Sequence, residues 1–426
     1  MESGTESGTE PTTHAPGRAR RAIGLLIGRL AGVAGALAAG QVIIGLMYVV
    51  GARAITPATL GLIATCVAIG TIAATVFDAG LIALLTREVA AGAVDLDRAR
   101  GVVRAKRRLS WVLVLPTTAA CVVIAPTPAS GVVLGFLGLA MWEAQSRNGL
   151  LRAQERFTVA ATAQVTGRAL GLVTVLVLVL AGAPVIALPI ALVLAFALEA
   201  ALGRYFLGSA RVPTPGQREV WGLYREAFSY GLASLAASAQ QLDTPLVALG
   251  AGPVGAGLYA AAGRLLGPLG FFATALGLVG APWLARARDD EPALRGEERR
   301  VVGLALLLAA VPLLAAVLGP PLLPLVLGEQ YATSGPVLAV LAVGSVFSTL
   351  NQPLAIMLQN RGHQRTTAVA ITIGLGLGLV STWVLAILGG AVWAAAGFVL
   401  SQVVILVHLA IAARRVRGRA VASRAA

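Results

Sequence analysis

Three arginines, Arg29, Arg168 and Arg264, stand inside long apolar runs, where a charge is costly and is kept when it faces a protein interior or a water-filled cavity. A guanidinium offers its donors in a planar fork, so in a low-dielectric cavity it can hold two oxygens of one anion at once. Gln41, Gln241 and Asn351 lie in the same kind of run, as do Gln164, Gln240 and Gln352, and their amides both donate and accept. Two carboxylates complete the set, Asp78 and Asp243, each near the end of an apolar run, where a carboxylate can carry a coupling proton or Na+ or close a gate against an arginine. This is equipment for gripping and moving an anion.

Each residue also has a plainer reading. Arg29 can snorkel to an interface, Arg264 can be half of a structural pair with Asp243, and Arg168 can pair with helix carbonyls. Asp78, Glu143 and Glu199 lie towards the arginine-rich ends of their runs, where an interfacial charge or a gate partner for a loop arginine is the simpler role. The amides can bond between helices, and His408 can be a packed polar residue.

Bond-making chemistry has no counterpart in the sequence. There is no Walker lysine motif, no His-Glu-x-x-His and no paired acids in an external loop of useful length, so no catalytic residue, metal ligand or cofactor is assigned beyond a coupling ion. The glycine run "TIGLGLGLV" at 372–380 follows no strand and sits within an apolar stretch, as a helix-packing surface would. Cys66 and Cys121 both lie in apolar runs and suit packing rather than a disulfide framework.

The elements that must position these residues are membrane spans. The 426 residues are 57% hydrophobic and 12% charged, a composition outside the soluble globular range. A bilayer core needs about 20 apolar residues in a helix. Runs of that length fall at 22–50, 57–84, 109–127, 130–148, 158–182, 184–206, 224–250, 254–284, 301–320, 335–358, 366–388 and 391–412. Twelve transmembrane helices in an all-α integral membrane protein are therefore expected.

Arginines fill every second gap between these runs: 18–21, 86–108, 147–156, 204–225, 286–300, 361–365 and 414–424. Basic residues are retained on the cytoplasmic side of short loops, so this alternation predicts a multi-pass protein of the inner (cytoplasmic) membrane with both termini in the cytoplasm. The net charge of +14 is thereby explained by orientation, and no nucleic-acid partner is expected. All of the basic residues except Lys106 are arginine. The longest outer connection, 319–334, is too short and apolar for a catalytic module.

The chain repeats itself. "GARAITPATLGLIATCVAIGTI" resembles "LGAGPVGAGLYAAAGRLLGPL", with six spans between the copies, so two six-helix lobes related by a pseudo-two-fold axis along the membrane normal are expected. The predicted division is a cytoplasmic tail at 1–21, lobes at 22–206 and 224–412, a linker at 207–223 and a basic tail at 413–426.

The run "GARAITPATLGLIATCVAIGTIAATVFDAGLIALLTREVA" resembles the N-terminal signature of the polysaccharide-transporter branch of the multidrug/oligosaccharidyl-lipid/polysaccharide exporter superfamily, at Gly61, Asp78, Gly80, Thr86, Arg87 and Glu88. The second half agrees through "QLDTPLVALGAGPVGAGLYAAAGRLLGPL", at Asp243, Gly257, Tyr259, Ala262, Arg264 and Leu265, and "VLGEQYATSGPVLAVLAVGSVFSTLNQPL" is similar to the family's outer loop and tenth span. The resemblance implies a fold like that of multidrug exporters and a flippase that moves a lipid-linked oligosaccharide or polysaccharide precursor by alternating access. It also implies membrane lipids and polysaccharide assembly proteins as partners and a functional monomer.

On that reading Arg29, Arg168 and Arg264 would take the diphosphate of the lipid carrier, and Gln41, Gln241 and Asn351 the sugar hydroxyls. Trp142, Trp383 and Trp393 would either stack on sugars or anchor at the membrane interface. Related lipid II flippases usually have two further C-terminal spans, which counts against that subfamily here. A multidrug/cation antiporter of the same superfamily would need deep acids, of which only Asp243 is a candidate. A polyprenyl-dependent glycosyltransferase or ligase would need an acidic outer domain.

Overall fold

With no water to satisfy them in a bilayer, backbone amides must bond within their own segment, and an apolar chain answers by forming helices. The computed structural model describes residues 38–208, 216–287 and 290–425, together with Gly35, and among the described residues every regular element is helical. The first half holds α1 (Ala38–Arg53), α2 (Pro57–Asp78), α3 (Leu81–Ala90), α4 (Leu96–Arg107), α5 (Trp111–Ile124), α6 (Pro128–Gly135), α7 (Leu137–Ala153), α8 (Phe157–Leu180) and α9 (Pro184–Leu207). The second holds α10 (Gln217–Ala239), α11 (Asp243–Arg286), α12 (Glu291–Leu327), α13 (Gly335–Asn360) and α14 (Gln364–Ala425). Two short 3-10 helices, Gln240–Leu242 and Glu329–Ser334, join α10 to α11 and α12 to α13.

Among the described residues, seven helices are long and apolar enough to cross a membrane, or eight if α4 and α5, bent by 45°, count as one span. This count does not confirm the expected twelve, since α11 and α14 each run as one element through a kink and α1 is described only from Ala38. At Gly252 in α11, and at Gly389 and Gly390 in α14, the backbone leaves helical geometry. The α14 limbs then lie antiparallel: Gly378 packs on Ser401 and Gly397 on Thr382. Gly374 and Gly378 of the 372–380 run thus form a helix-packing surface. Small residues let membrane helices approach closely, which replaces the hydrophobic drive that lipid removes.

Two boundaries correct the sequence reading. The second run, expected at 57–84, breaks at Asp78, because Ala79 and Gly80 take left-handed φ values of 49° and 81°. The outer connection expected at 319–334 is helical as far as Leu327, with Pro320, Pro321 and Pro324 inside α12. A proline removes one amide donor, a defect that membrane helices tolerate when neighbours supply other bonds. The tail expected at 1–21 and residues 209–215 of the linker expected at 207–223 lie outside the described residues, and the linker's last residues form the start of α10.

Candidate functional site

The two halves of the chain meet at the arginine-poor end through α2 and α11. A Cβ on Gly61 would strike the main chain of Pro253, and one on Gly257 the main chain of Pro57, so the helices touch backbone to backbone. Beside this crossing, Gln330 and Tyr331 of the second half donate to main-chain oxygens at the end of α1. These two contacts join the halves at the arginine-poor end.

Below this crossing lie two adjoining cavities. The larger, about 800 Å³, runs from the exposed Arg87 and Ala90 of α3 past Asn148 and Arg152 of α7 to Gln164 and Arg168 of α8, Glu199 of α9, and Arg264 of α11. The smaller, about 500 Å³, is lined by Asp243, Tyr259, Arg264, Ser345, Ser348 and Gln352, with other groups of α11 and α13. Gln41, Gln241 and Arg264 line both, so the cavities adjoin at the interface between the halves. Four arginines, Arg87, Arg152, Arg168 and Arg264, face two carboxylates, Glu199 and Asp243, in the combined lining.

Arg168 is 6% exposed, and Gln164, one turn earlier on α8, accepts from both Nη1 and Nη2 at 2.9 Å when its amide is oriented to do so. Gly40 of α1 makes room for this guanidinium, since a Cβ there would meet Nη1. Arg264 reaches across the interface to α1, its Cζ 4.6 Å from the ring centroid of Tyr48, a favourable cation–π distance. Asp243 accepts from the Tyr259 hydroxyl at 3.1 Å, a bond between the limbs of α11, and also from Thr244. Asp243 and Arg264 share the smaller cavity without a direct ion pair among the described residues.

Asp78 belongs to a separate cluster. It pairs with Lys106 of α4 at 3.7 Å and accepts from Trp142 Nε1 at 3.2 Å. Lys106 is fully buried and also donates to the Asp78 main-chain oxygen at 2.8 Å. Its ammonium lies 4.8 Å from the ring centroid of Phe77, 5.3 Å from Trp142 and 4.7 Å from Tyr224. Since Tyr224 belongs to α10, this cage ties the two halves together near the arginine-rich end.

The geometry brings Arg168, Arg264, Gln41, Gln241 and Asp243 to one cavity system, together with Gln164, Gln240, Gln352 and Glu199, and leaves Asp78, Asn351 and the tryptophans elsewhere. Asn351 is buried between α13 and α14, donating to the main-chain and side-chain oxygens of Gln402 at 3.1 and 3.0 Å. Trp142 is 1% exposed beneath Asp78, while Trp383 and Trp393 are exposed outside the cavity linings. Arg29 lies outside the described residues. Sequence reasoning gave no cavity role to Asn148, Arg152 or Tyr48. Lys106 carried a compositional signal, as the sole lysine in an arginine-rich chain.

Several solved structures share this architecture. The inward-facing form of a multidrug resistance MATE transporter of the MOP superfamily matches with a TM-score of 0.67 at 17% identity, over 89% of this chain and 95% of that one. The lipid II flippase MurJ in an inward closed conformation matches with a TM-score of 0.70 at 11% identity, over 90% and 87% of the two chains. A MOP superfamily transporter from Pyrococcus furiosus, described for the reverse polarity of its binding pocket, matches with a TM-score of 0.59 at 15% identity, over 91% and 95%. No curated protein matches the sequence. The family model for polysaccharide biosynthesis proteins matches residues 50–336, about two thirds of the chain. The chain is a multi-pass membrane protein with the MOP superfamily fold, and it belongs to the polysaccharide biosynthesis protein family.

Proposed function

We propose that this protein is a flippase that moves a lipid-linked oligosaccharide or polysaccharide precursor across the cytoplasmic membrane by alternating access. The observation that carries the reading is the convergence of Arg168 and Arg264, from opposite halves, on one cavity with Gln41 and Gln241. Arg168 and Arg264 take the diphosphate through bidentate, charge-assisted hydrogen bonds, and the amides and hydroxyls of the lining meet the sugars. An excess of arginine over carboxylate in that lining repels the cations a drug antiporter would carry.

The arginine-rich end faces the cytoplasm, with both termini there. The cavity is then loaded from inside, and opening the α2–α11 seal releases the cargo outside. Asp243 carries the coupling ion, H+ or Na+, in this scheme, and Asp78 belongs to a lock near the inner end. The working unit is a monomer among membrane lipids, alongside polysaccharide assembly proteins.

Glycan export by a strain lacking the native gene, complemented with wild type, Arg168→Ala or Arg264→Ala at matched membrane levels, tests the proposal. Export falls to background with either variant. Export at wild-type rates in both variants would remove the assigned headgroup role and with it the stated mechanism.

A further inference from the structure

The short helix α4 has two faces of opposite character. Ala99, Val102, Val103 and Lys106, spaced as one helical stripe, are buried, the first three in an apolar cluster with Leu81, Leu150 and Leu207. On the other side Arg104, Arg107, Arg108 and Trp111 repeat the same spacing across the turn into α5, and all four are exposed. The acids of the helix, Asp95 and Asp97, lie at its far end, where Asp97 pairs with Arg100 at 2.7 Å. Glu143 of α7 reaches Arg107 at 3.5 Å, but it also holds Arg147 at 3.0 Å. Arg108 has no ion-pair partner among the described residues.

The place of this stripe in the membrane follows from its length. A bilayer core about 30 Å thick takes about 20 helical residues, which, counted back from Pro126 beyond the arginine-poor end of α5, reach about Lys106. The 45° bend between α4 and α5 therefore lies at the boundary of the bilayer. There the exposed side changes from basic to apolar within one turn: Trp111 is 59% exposed and Leu115 62%, with Val112 exposed between them. Arginines at headgroup depth with a tryptophan just inside match the two chemistries of a phospholipid, a phosphate above and an acyl chain below. The arrangement is also fixed in place, because Lys106 on the opposite face is anchored by Asp78 and the three rings around it.

A zwitterionic lipid brings its own ammonium to such a cluster, whereas an anionic one brings net negative charge. We propose that α4 and the start of α5 form a binding site for an anionic phospholipid of the leaflet at the arginine-rich end. Arg104 and Arg108 take the phosphate, Arg107 being partly neutralised by Glu143, and an acyl chain lies along Trp111 and Leu115. None of these residues lines either cavity, so the site is separate from that of the cargo.

Trp111 itself reports the occupant. The full-length protein in phosphatidylcholine nanodiscs is titrated with brominated phosphatidylglycerol or brominated phosphatidylcholine, and the quenching lost in Trp111→Phe isolates the signal at this position from that of the other tryptophans. In the wild type phosphatidylglycerol is preferred there by about tenfold or more, since each arginine near a bilayer surface adds roughly a fivefold attraction for an anionic lipid. Arg104→Gln with Arg108→Gln brings the preference down to about twofold or less, while Arg104→Lys with Arg108→Lys, which keeps both charges, retains most of it. Arg414→Gln with Arg415→Gln, an exposed basic pair towards the end of α14, leaves it unchanged.

Equal quenching by the two lipids in the wild type, or a preference that survives in the double glutamine variant, overturns the site. An equal loss in the Arg414 and Arg415 variant overturns it as well, by reducing the effect to the charge of the whole surface. So does a loss as complete with lysine as with glutamine, which would trace the effect to a displaced helix rather than to charge. A monodisperse elution profile for each variant separates lost binding from lost folding.

Discussion

The hydroxyl of Tyr331, a residue with no exposed surface, donates to the main-chain oxygen of Ile55 at 3.2 Å, linking the second half of the chain to the end of α1. Gln330 doubles the link, its Nε2 lying 2.9 Å from the same oxygen and 3.1 Å from that of Ala52. Opening the arginine-poor end must break these bonds. Gln330→Ala with Tyr331→Phe should cost the closed state about 1 kcal/mol, roughly a fivefold shift towards opening. A cysteine placed at Ser348 reports it through labelling by a membrane-impermeant maleimide from outside. Cys66 and Cys121 are buried and stay silent. An unchanged labelling rate would show that these residues do not hold the end shut.

The Gly61–Gly257 crossing should be less forgiving, because the atoms in the way are backbone. Gly257→Ala forces α11 away from α2, an overpacking cost of about 1–3 kcal/mol. The variant should melt at a lower temperature and label faster at Ser348→Cys. Wild-type melting and labelling together would refute the crossing as a seal.

Some of this was legible in the sequence, and the reason differs from residue to residue. Arg168 and Arg264 announced themselves because a charge within an apolar run has few explanations. Gly257 stood out through the internal repeat. Glu199 and Asn148 did not, because a polar residue near the end of a run looks like an interfacial one. Only the glycine-tight packing of α8 on α9 turns Glu199 into the cavity. Asn351 was misleading in the opposite sense: its amide serves Gln402, an interhelical bond that composition cannot distinguish from a ligand contact. The helix through Pro320, Pro321 and Pro324 escaped notice because prolines read as a turn in any sequence considered without its neighbours.

Lys106 and Asp78 should behave as a buried unit. Lys106→Met leaves the carboxylate in an apolar cage, and breaking a buried pair in this way costs about 3–5 kcal/mol. Asp78→Asn in the same background should restore much of that loss. A double-mutant cycle on melting temperature measures the coupling. Additive losses would show that the two charges do not depend on each other.

Gly40 offers a way to disturb Arg168 without deleting its charge. A Cβ at Gly40 would lie 2.5 Å from Arg168 Nη1, the mobile end of a side chain, so Gly40→Ala should fold normally while moving the guanidinium. Glycan export should fall about tenfold or more, the penalty expected for a displaced charge-assisted contact. Export within twofold of wild type would mean that the exact placement of Arg168 is unimportant.

The limb of α11 beyond Gly252 carries Gly257, Tyr259 and Arg264 on a single helix. At 1.5 Å per residue, Gly257 and Arg264 are about 10 Å apart along it. Under the proposed mechanism, the part that touches α2 and the part that lines the cavity belong to one helical limb that bends at Gly252. A swing of that limb lifting Gly257 from α2 would also draw Arg264 off the ring of Tyr48, which would make unsealing and release one motion rather than two events needing separate timing.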